Sequence, residues 1–226
     1  MGGPGFYDLQ NGGRICDRMR LLFVFLLAAL GMSGAEAIEA FGYRWLVQSA
    51  SDWSAEDGML RLRIPGQPPP GLPRRPQKYA LAETPPFRKV TLEAEVRRNG
   101  RSLILVYAFQ DEAHFNYAHI SSDPAEKVNV HNGMFHIFGG ERVRISPLAG
   151  PASLPAQEWT PVKLIFDGDS GRCQVEVNGR RNPSLEAVDL SLRFGRIGFG
   201  SFDETGDFRR VRIRGVPRSA GAEGRR

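Results

Sequence analysis

Apolar and polar residues alternate along this chain in short runs that are cut by Gly, Pro, Asn and Asp. Val90-Thr-Leu-Glu-Ala-Glu-Val96 is the clearest run. Its period of two places Val90, Leu92, Ala94 and Val96 on one face of a strand, and Glu93 and Glu95 on the other. The same alternation predicts strands over 101–109, 113–121, 133–138, 142–146, 162–166, 172–177, 196–202 and 208–214, with earlier ones at 43–47, 59–63 and 78–82. Asp167-Gly-Asp-Ser-Gly171 separates two of these runs and reads as a hairpin connection. Helical periodicity is almost absent. The pattern predicts an all-β domain, a two-sheet antiparallel sandwich of jelly-roll type.

Two ends depart from the alternation. Leu21 to Leu30 (LLFVFLLAAL) is an uninterrupted apolar run behind Arg14, Arg18 and Arg20, and it leads to Ala35-Glu36-Ala37. A basic flank, a short apolar core and an A-x-A site describe a secretory leader cut after Ala37. Met19 offers a second start for it. The run is too short for an ordinary transmembrane helix, so the expected destination is secreted or periplasmic, with no membrane insertion after cleavage. The expected division is 1–37 leader, 38–216 sandwich domain and 217–226 disordered basic tail. Pro65 to Pro76 holds six prolines, which predicts an extended loop without ladder hydrogen bonds, either a rim over a binding face or a plain connection.

Composition narrows the chemistry. After residue 37 only Cys173 remains, so the domain has no internal disulfide and must rely on its core. Cys173 alternates with Val175 and Val177 and reads as a buried small apolar residue. The net charge of +5 is unchanged by loss of the leader, which removes Arg14, Arg18 and Arg20 together with Asp8, Asp17 and Glu36. Arg210, Arg212 and Arg214 share one strand face, which could meet an acidic polymer or a membrane surface, or be the charged face of an edge strand. No nucleic-acid motif accompanies them.

All four histidines lie between His114 and His136, among Phe115, Asn116, Tyr117, Phe135 and Phe138. This concentration of imidazoles, amides and rings is the candidate working face. His114 and His119 are five apart, so a strand puts them on opposite faces and a local zinc site is not expected. Tyr117, His119 and His136 are expected to converge toward sugar hydroxyls, with Tyr79 or Tyr107 as a stacking platform. Gln110, His114, Asn116 and Arg144 are further candidate hydrogen-bonding residues. Glu93 and Glu95 share a strand face with bases roughly 6–7 Å apart, within reach of glycosidase carboxyl spacings. Glu95 and His119 are therefore the candidate acid–base groups. Asp203-Glu-Thr-Gly-Asp207 is an acidic turn in which Asp203 and Asp207 could hold a structural calcium, or be a solvated hairpin; no other cofactor is implied.

Several segments resemble the concanavalin A-like lectin/glucanase superfamily, and within it the laminin G-like and 3-keto-disaccharide hydrolase (DUF1080-type) branch. They are Trp45-Leu-Val, Trp53, Asp57-Gly-Met-Leu60, the strand 90–96, His114-Phe-Asn-Tyr-Ala-His-Ile-Ser121 and Trp159-Thr-Pro-Val-Lys-Leu164. Gly195-Arg-Ile-Gly-Phe-Gly-Ser-Phe202 and Asp207-Phe-Arg-Arg-Val-Arg-Ile213 resemble the last two strands. The resemblance implies the sandwich fold and carbohydrate as partner. It does not transfer a catalytic apparatus: Glu93-Ala-Glu95-Val-Arg-Arg98 lacks the central Asp and last Glu of the E-x-D-x-x-E strand of family 16 glycosidases. The resulting expectation is a secreted module that binds glycan on a concave face. A glycoside-cleaving hydrolase of the 3-keto-disaccharide type, or a structural module without a small ligand, are the alternatives.

Overall fold

The computed structural model describes residues 36–67, 75–122 and 131–219. The expected leader, apart from Glu36 and Ala37, lies outside the described residues, as do 68–74 of the proline-rich loop and 220–226 of the tail. The chain forms β1 (Glu36–Ala40), β2 (Tyr43–Val47), one 3₁₀ turn (Ala50–Asp52), β3 (Trp53–Glu56), β4 (Met59–Leu62), β5 (Lys78–Ala82), β6 (Phe87–Arg98) and β7 (Ser102–Asp111). There follow β8 (His114–Ser121), β9 (Gly133–Phe138), β10 (Glu141–Arg144), β11 (Thr160–Asp167), β12 (Arg172–Val177), β13 (Arg180–Val188), β14 (Arg196–Ser201) and β15 (Gly206–Pro217). They make an eight-stranded sheet, β1-β2-β5-β14-β7-β8-β9-β10, and a seven-stranded sheet, β13-β12-β11-β6-β15-β4-β3. The strands pair antiparallel, as the alternation predicts.

Each run of alternating residues delivers its apolar face to the space between the sheets. Leu92, Ala94 and Val96 of β6 are 0–6% exposed and meet Leu164 and Val162 of β11 within one core. Burying each such side chain stabilises the fold by about 1.5–3 kcal/mol. Phe199 of β14 stacks on Phe208 of β15 at 4.6 Å, joining the centres of the two sheets. Cys173 is buried beside Tyr107, as its alternation suggests, and burial pushes its thiol far above the ordinary range. The β11–β12 hairpin closes at Asp167↔Arg172, where the Asp-Gly-Asp-Ser-Gly sequence stands.

A second apolar layer covers the outer face of the eight-stranded sheet. Tyr79, Leu81, Ile104, Val106, Phe109, Phe115, Tyr117, Phe135, Ile137 and Phe202 are each 0–4% exposed there. Phe109 reaches this layer through a bulge in β7, where Ala108 takes a left-handed φ of 50° and shifts the alternation by one residue. β15 lies between β6 and β4, but β4 pairs only with Gly206–Arg209, so among the described residues the stretch that bears Arg210, Arg212 and Arg214 has a strand neighbour on one side alone, as an edge does.

Candidate functional site

Strand register divides the histidine segment between two faces. β8 and β9 pair Asn116 with His136, Tyr117 with Phe135 and His119 with Gly133. Directly opposed residues point to the same side, so His136 lies on the face opposite to Tyr117 and His119. The expected convergence of these three does not occur.

The inner group is a closed polar latch. His136 Nδ1 donates to Asn116 Oδ1 at 2.8 Å and lies 3.0 Å from Asp189 Oδ2, while Asn116 Nδ2 donates to Asp189 Oδ2 at 2.8 Å. Burial would raise the Asp189 carboxyl, but bonds from Ser191 and Asn116 and the nearby His136 hold it below the usual range. Tyr107 is also inside, packed 5.2 Å from Phe166 and 1% exposed, and so is no stacking platform. The outer group lies in the buried layer. Tyr117 is 0% exposed, stacks on Phe135 at 5.3 Å and accepts a 2.7 Å hydrogen bond from Arg142 Nε. His119, 3% exposed, stacks on Phe202 at 5.0 Å. Tyr79 is 3% exposed, with its hydroxyl 3.4 Å from Glu112. These rings are packing partners in the structure, closed to a sugar.

The remaining sequence candidates are engaged singly. His114 Nδ1 lies 2.9 Å from Asp111, Gln110 donates to the Phe194 carbonyl at 3.1 Å, and Arg144 donates to the carbonyls of Asn132 and Leu148 at 2.5 and 2.8 Å. The acidic turn does not fit calcium. Asp207 is 2% exposed, and its two oxygens accept from Arg61 Nε at 2.8 Å and from Arg97 Nε at 2.9 Å. A carboxylate clamped by two guanidiniums is a poor ligand for a divalent cation, and Asp203 stands on the exposed loop before β15. Among the described residues no three His, Cys, Asp or Glu side chains converge as a metal-ligand group.

The open site is on the other sheet. Glu93 and Glu95 point outward from β6, facing Lys163 and Pro161 on β11 and Arg212 and Arg209 on β15. Between Arg209 and Arg212 the register slips by one residue, and Arg210 takes a left-handed φ of 53°. The bulge turns a second arginine onto the same carboxylate. Glu95 accepts from Arg209 Nε at 2.7 Å and from Arg210 Nη1 at 2.6 Å, while Glu93 accepts from Arg214 Nη2 at 2.8 Å. The slight burial of Glu95 would raise its carboxyl, but the two guanidiniums outweigh it and hold the group below its ordinary range.

Around this ladder is a depression of about 560 Å³, floored by the strand backbone at Ala94, Val162 and Val211, whose side chains turn inward to the core. Its polar walls are Glu93, Glu95, Lys163, Glu176, Arg210 and Arg212. Gly179, in the Asn178-Gly179 turn, and Pro161 keep the rim low. The wall thus offers acceptors and donors side by side, an arrangement suited to a polyhydroxylated ligand. The alternation of β6 pointed to Glu93 and Glu95, and the arginine run of β15 to Arg210 and Arg212. Lys163 and Glu176 carried no signal until register set them beside that pair: Lys163 is opposite both Glu93 and Glu176.

No family model matches this chain. No curated protein matches it either. Solved structures do. The carbohydrate-binding module CBM66 from Bacillus subtilis superposes with a TM-score of 0.56 at 14% identity, covering 80% of this chain and 94% of that one. A candidate glycosyl hydrolase from Parabacteroides distasonis gives 0.52 at 14% identity over 74% and 92% of the two chains. The GH43 protein BlXynB from Bacillus licheniformis gives 0.52 at 12% identity, over 76% of this chain and 37% of that one. At such identities the likeness establishes the fold, a lectin-like jelly-roll β-sandwich, and the function has to be argued from the site.

Proposed function

We propose that this chain is an exported carbohydrate-binding β-sandwich that holds its glycan in the depression on the seven-stranded sheet and does not cleave it. The observation that carries the proposal is the open wall of Glu93, Glu95, Lys163, Glu176, Arg210 and Arg212, charged donors and acceptors set side by side on one face. The structural likeness to CBM66 and to glycosyl hydrolases agrees with a carbohydrate ligand on this fold.

Binding is favoured over cleavage by the state of the sequence-nominated acid–base groups. A general acid needs a carboxyl raised toward neutral pH, whereas Glu95 is held down by Arg209 and Arg210. His119, the other nominee, is packed under Phe202 on the opposite sheet. The test is calorimetric titration of the purified protein with a glycan panel, with 3-keto-glucosides assayed for turnover in parallel. Lys163→Ala is expected to weaken binding about tenfold, the scale of one lost charged hydrogen bond, with an unchanged melting temperature. Turnover of any substrate that is abolished by Glu95→Gln would replace the binding reading with the hydrolase one.

A further inference from the structure

We infer that the depression on the seven-stranded sheet selects acidic glycans, polymers in which uronate carboxylates recur among neutral hydroxyls. This inference rests on the proposed glycan-binding role of the same face. Its first ground is the balance of charge. The carboxylates Glu93, Glu95 and Glu176 are outnumbered by Lys163, Arg209, Arg210, Arg212 and Arg214, which stand on or beside the same wall.

The second ground is how these charges are spent. Glu95 takes Arg209 and Arg210, and Glu93 takes Arg214. That leaves Lys163 and Arg212 with no carboxylate within ion-pair distance among the described residues, although both line the depression. Arg210, 71% exposed, uses Nη1 on Glu95 and directs the rest of its guanidinium outward. An anionic ligand would therefore meet two cations that have no acidic side chain to give up, so its binding requires no internal ion pair to break.

The third ground is the bulge. A left-handed φ at a non-glycine residue is strained, and such strain persists where surrounding contacts hold it. At Arg210 it brings an extra cation to the depression that a regular ladder would have placed elsewhere. The acidic members of the wall set the spacing of the ligand's charge. Glu93, Glu95 and Glu176 would repel a densely charged polyanion such as DNA, with about one charge per 1.7 Å. They would accept hydrogen bonds from the hydroxyls of a sugar that carries one carboxylate per ring.

The test compares oligogalacturonate with a neutral cello-oligosaccharide of equal length, titrated into the purified protein. At about 20 mM salt the acidic oligomer is expected to bind at least about tenfold tighter, and the preference is expected to shrink toward parity at about 500 mM, as charge screening requires. The double variant Lys163→Gln/Arg212→Gln is expected to bring the two affinities to parity, the loss falling at least about tenfold more heavily on the acidic oligomer than on the neutral one. Glu176→Gln, which removes a repelling charge and no partner, is expected to strengthen it, and serves as the readout if the double variant unfolds. Equal affinities of the wild type overturn the acidic preference and leave the glycan-binding role standing. A preference that survives in the double variant also overturns the inference, because the cations responsible would lie elsewhere. Binding of neither oligomer, nor of any member of the glycan panel, overturns both.

Discussion

Arg210 shows how one strained residue couples backbone to chemistry. Its left-handed φ of 53° lets two consecutive arginines reach one carboxylate. Glycine adopts that conformation without steric cost, whereas a side chain costs about 1–2 kcal/mol. Arg210→Gly is therefore expected to exceed Arg210→Ala in stability by about 1 kcal/mol in urea unfolding, with both variants weakened equally toward an acidic glycan. Glu95 adds a pH dependence of definite sign. Its carboxyl is lowered in the folded state, so its contribution is complete above the unfolded value of about 4.3 and is lost as pH falls through the folded value. The melting temperature should drop below about pH 4, and Glu95→Gln should flatten that drop. The alternation of β6 made Glu95 visible in the sequence. Its arginine partners were not visible, because they depend on a register slip in a strand 114 residues away.

Among the elements, β8 and β9 carry the residues that looked most functional and prove to be structural. The latch of Asn116, His136 and Asp189 ties both strands to the segment after β13. Removing one member strands the others in a buried setting, so Asn116→Ala is expected to cost about 1–3 kcal/mol in denaturant unfolding. Tyr117→Ala, which empties a fully buried position against Phe135, is expected to cost about 3–5 kcal/mol. A direct loss of glycan affinity in folded Asn116→Ala protein would return the site to this segment. Strand parity was correctly read within β8 from sequence, where Asn116 and Tyr117 do face opposite sides. The pairing with β9 is not legible there, since nothing in the chain states which residue of one strand stands opposite which of the next. β13 was missed for a related reason: Pro183 argues against a strand, yet β13 is an edge, where a missing donor is tolerated.

At the scale of the whole molecule, β1 bears on where the proposed export would cut the chain. Its ladder starts at Glu36↔Val47 and Ala37↔Leu46, and Glu36 also accepts a 2.6 Å bond from the Ala50 amide. Cleavage after Ala37 would remove these contacts, whereas cleavage after Ala35, preceded by Ser33-Gly34, also satisfies the small-residue rule and preserves them. On the proposed export, N-terminal sequencing of the processed protein is expected to read Glu36-Ala37-Ile38; a start at Ile38 would show that β1 forms without its first two residues, and an uncut N-terminus would overturn the export proposal. The sequence by itself determined the class of fold, because period-two alternation and turn residues are local properties that suffice to require two facing sheets. It also determined the outward pair on β6, the buried Cys173 and the arginine-rich β15. Only the tertiary structure decided which of these come together in the proposed site. Register sent the histidine segment into a latch and a buried layer, and a one-residue bulge set Arg210 and Arg212 beside Glu95, Glu93 and Lys163. The physical reason is that alternation specifies a side chain's face, whereas its neighbours are specified by hydrogen bonding between strands that lie far apart in the chain.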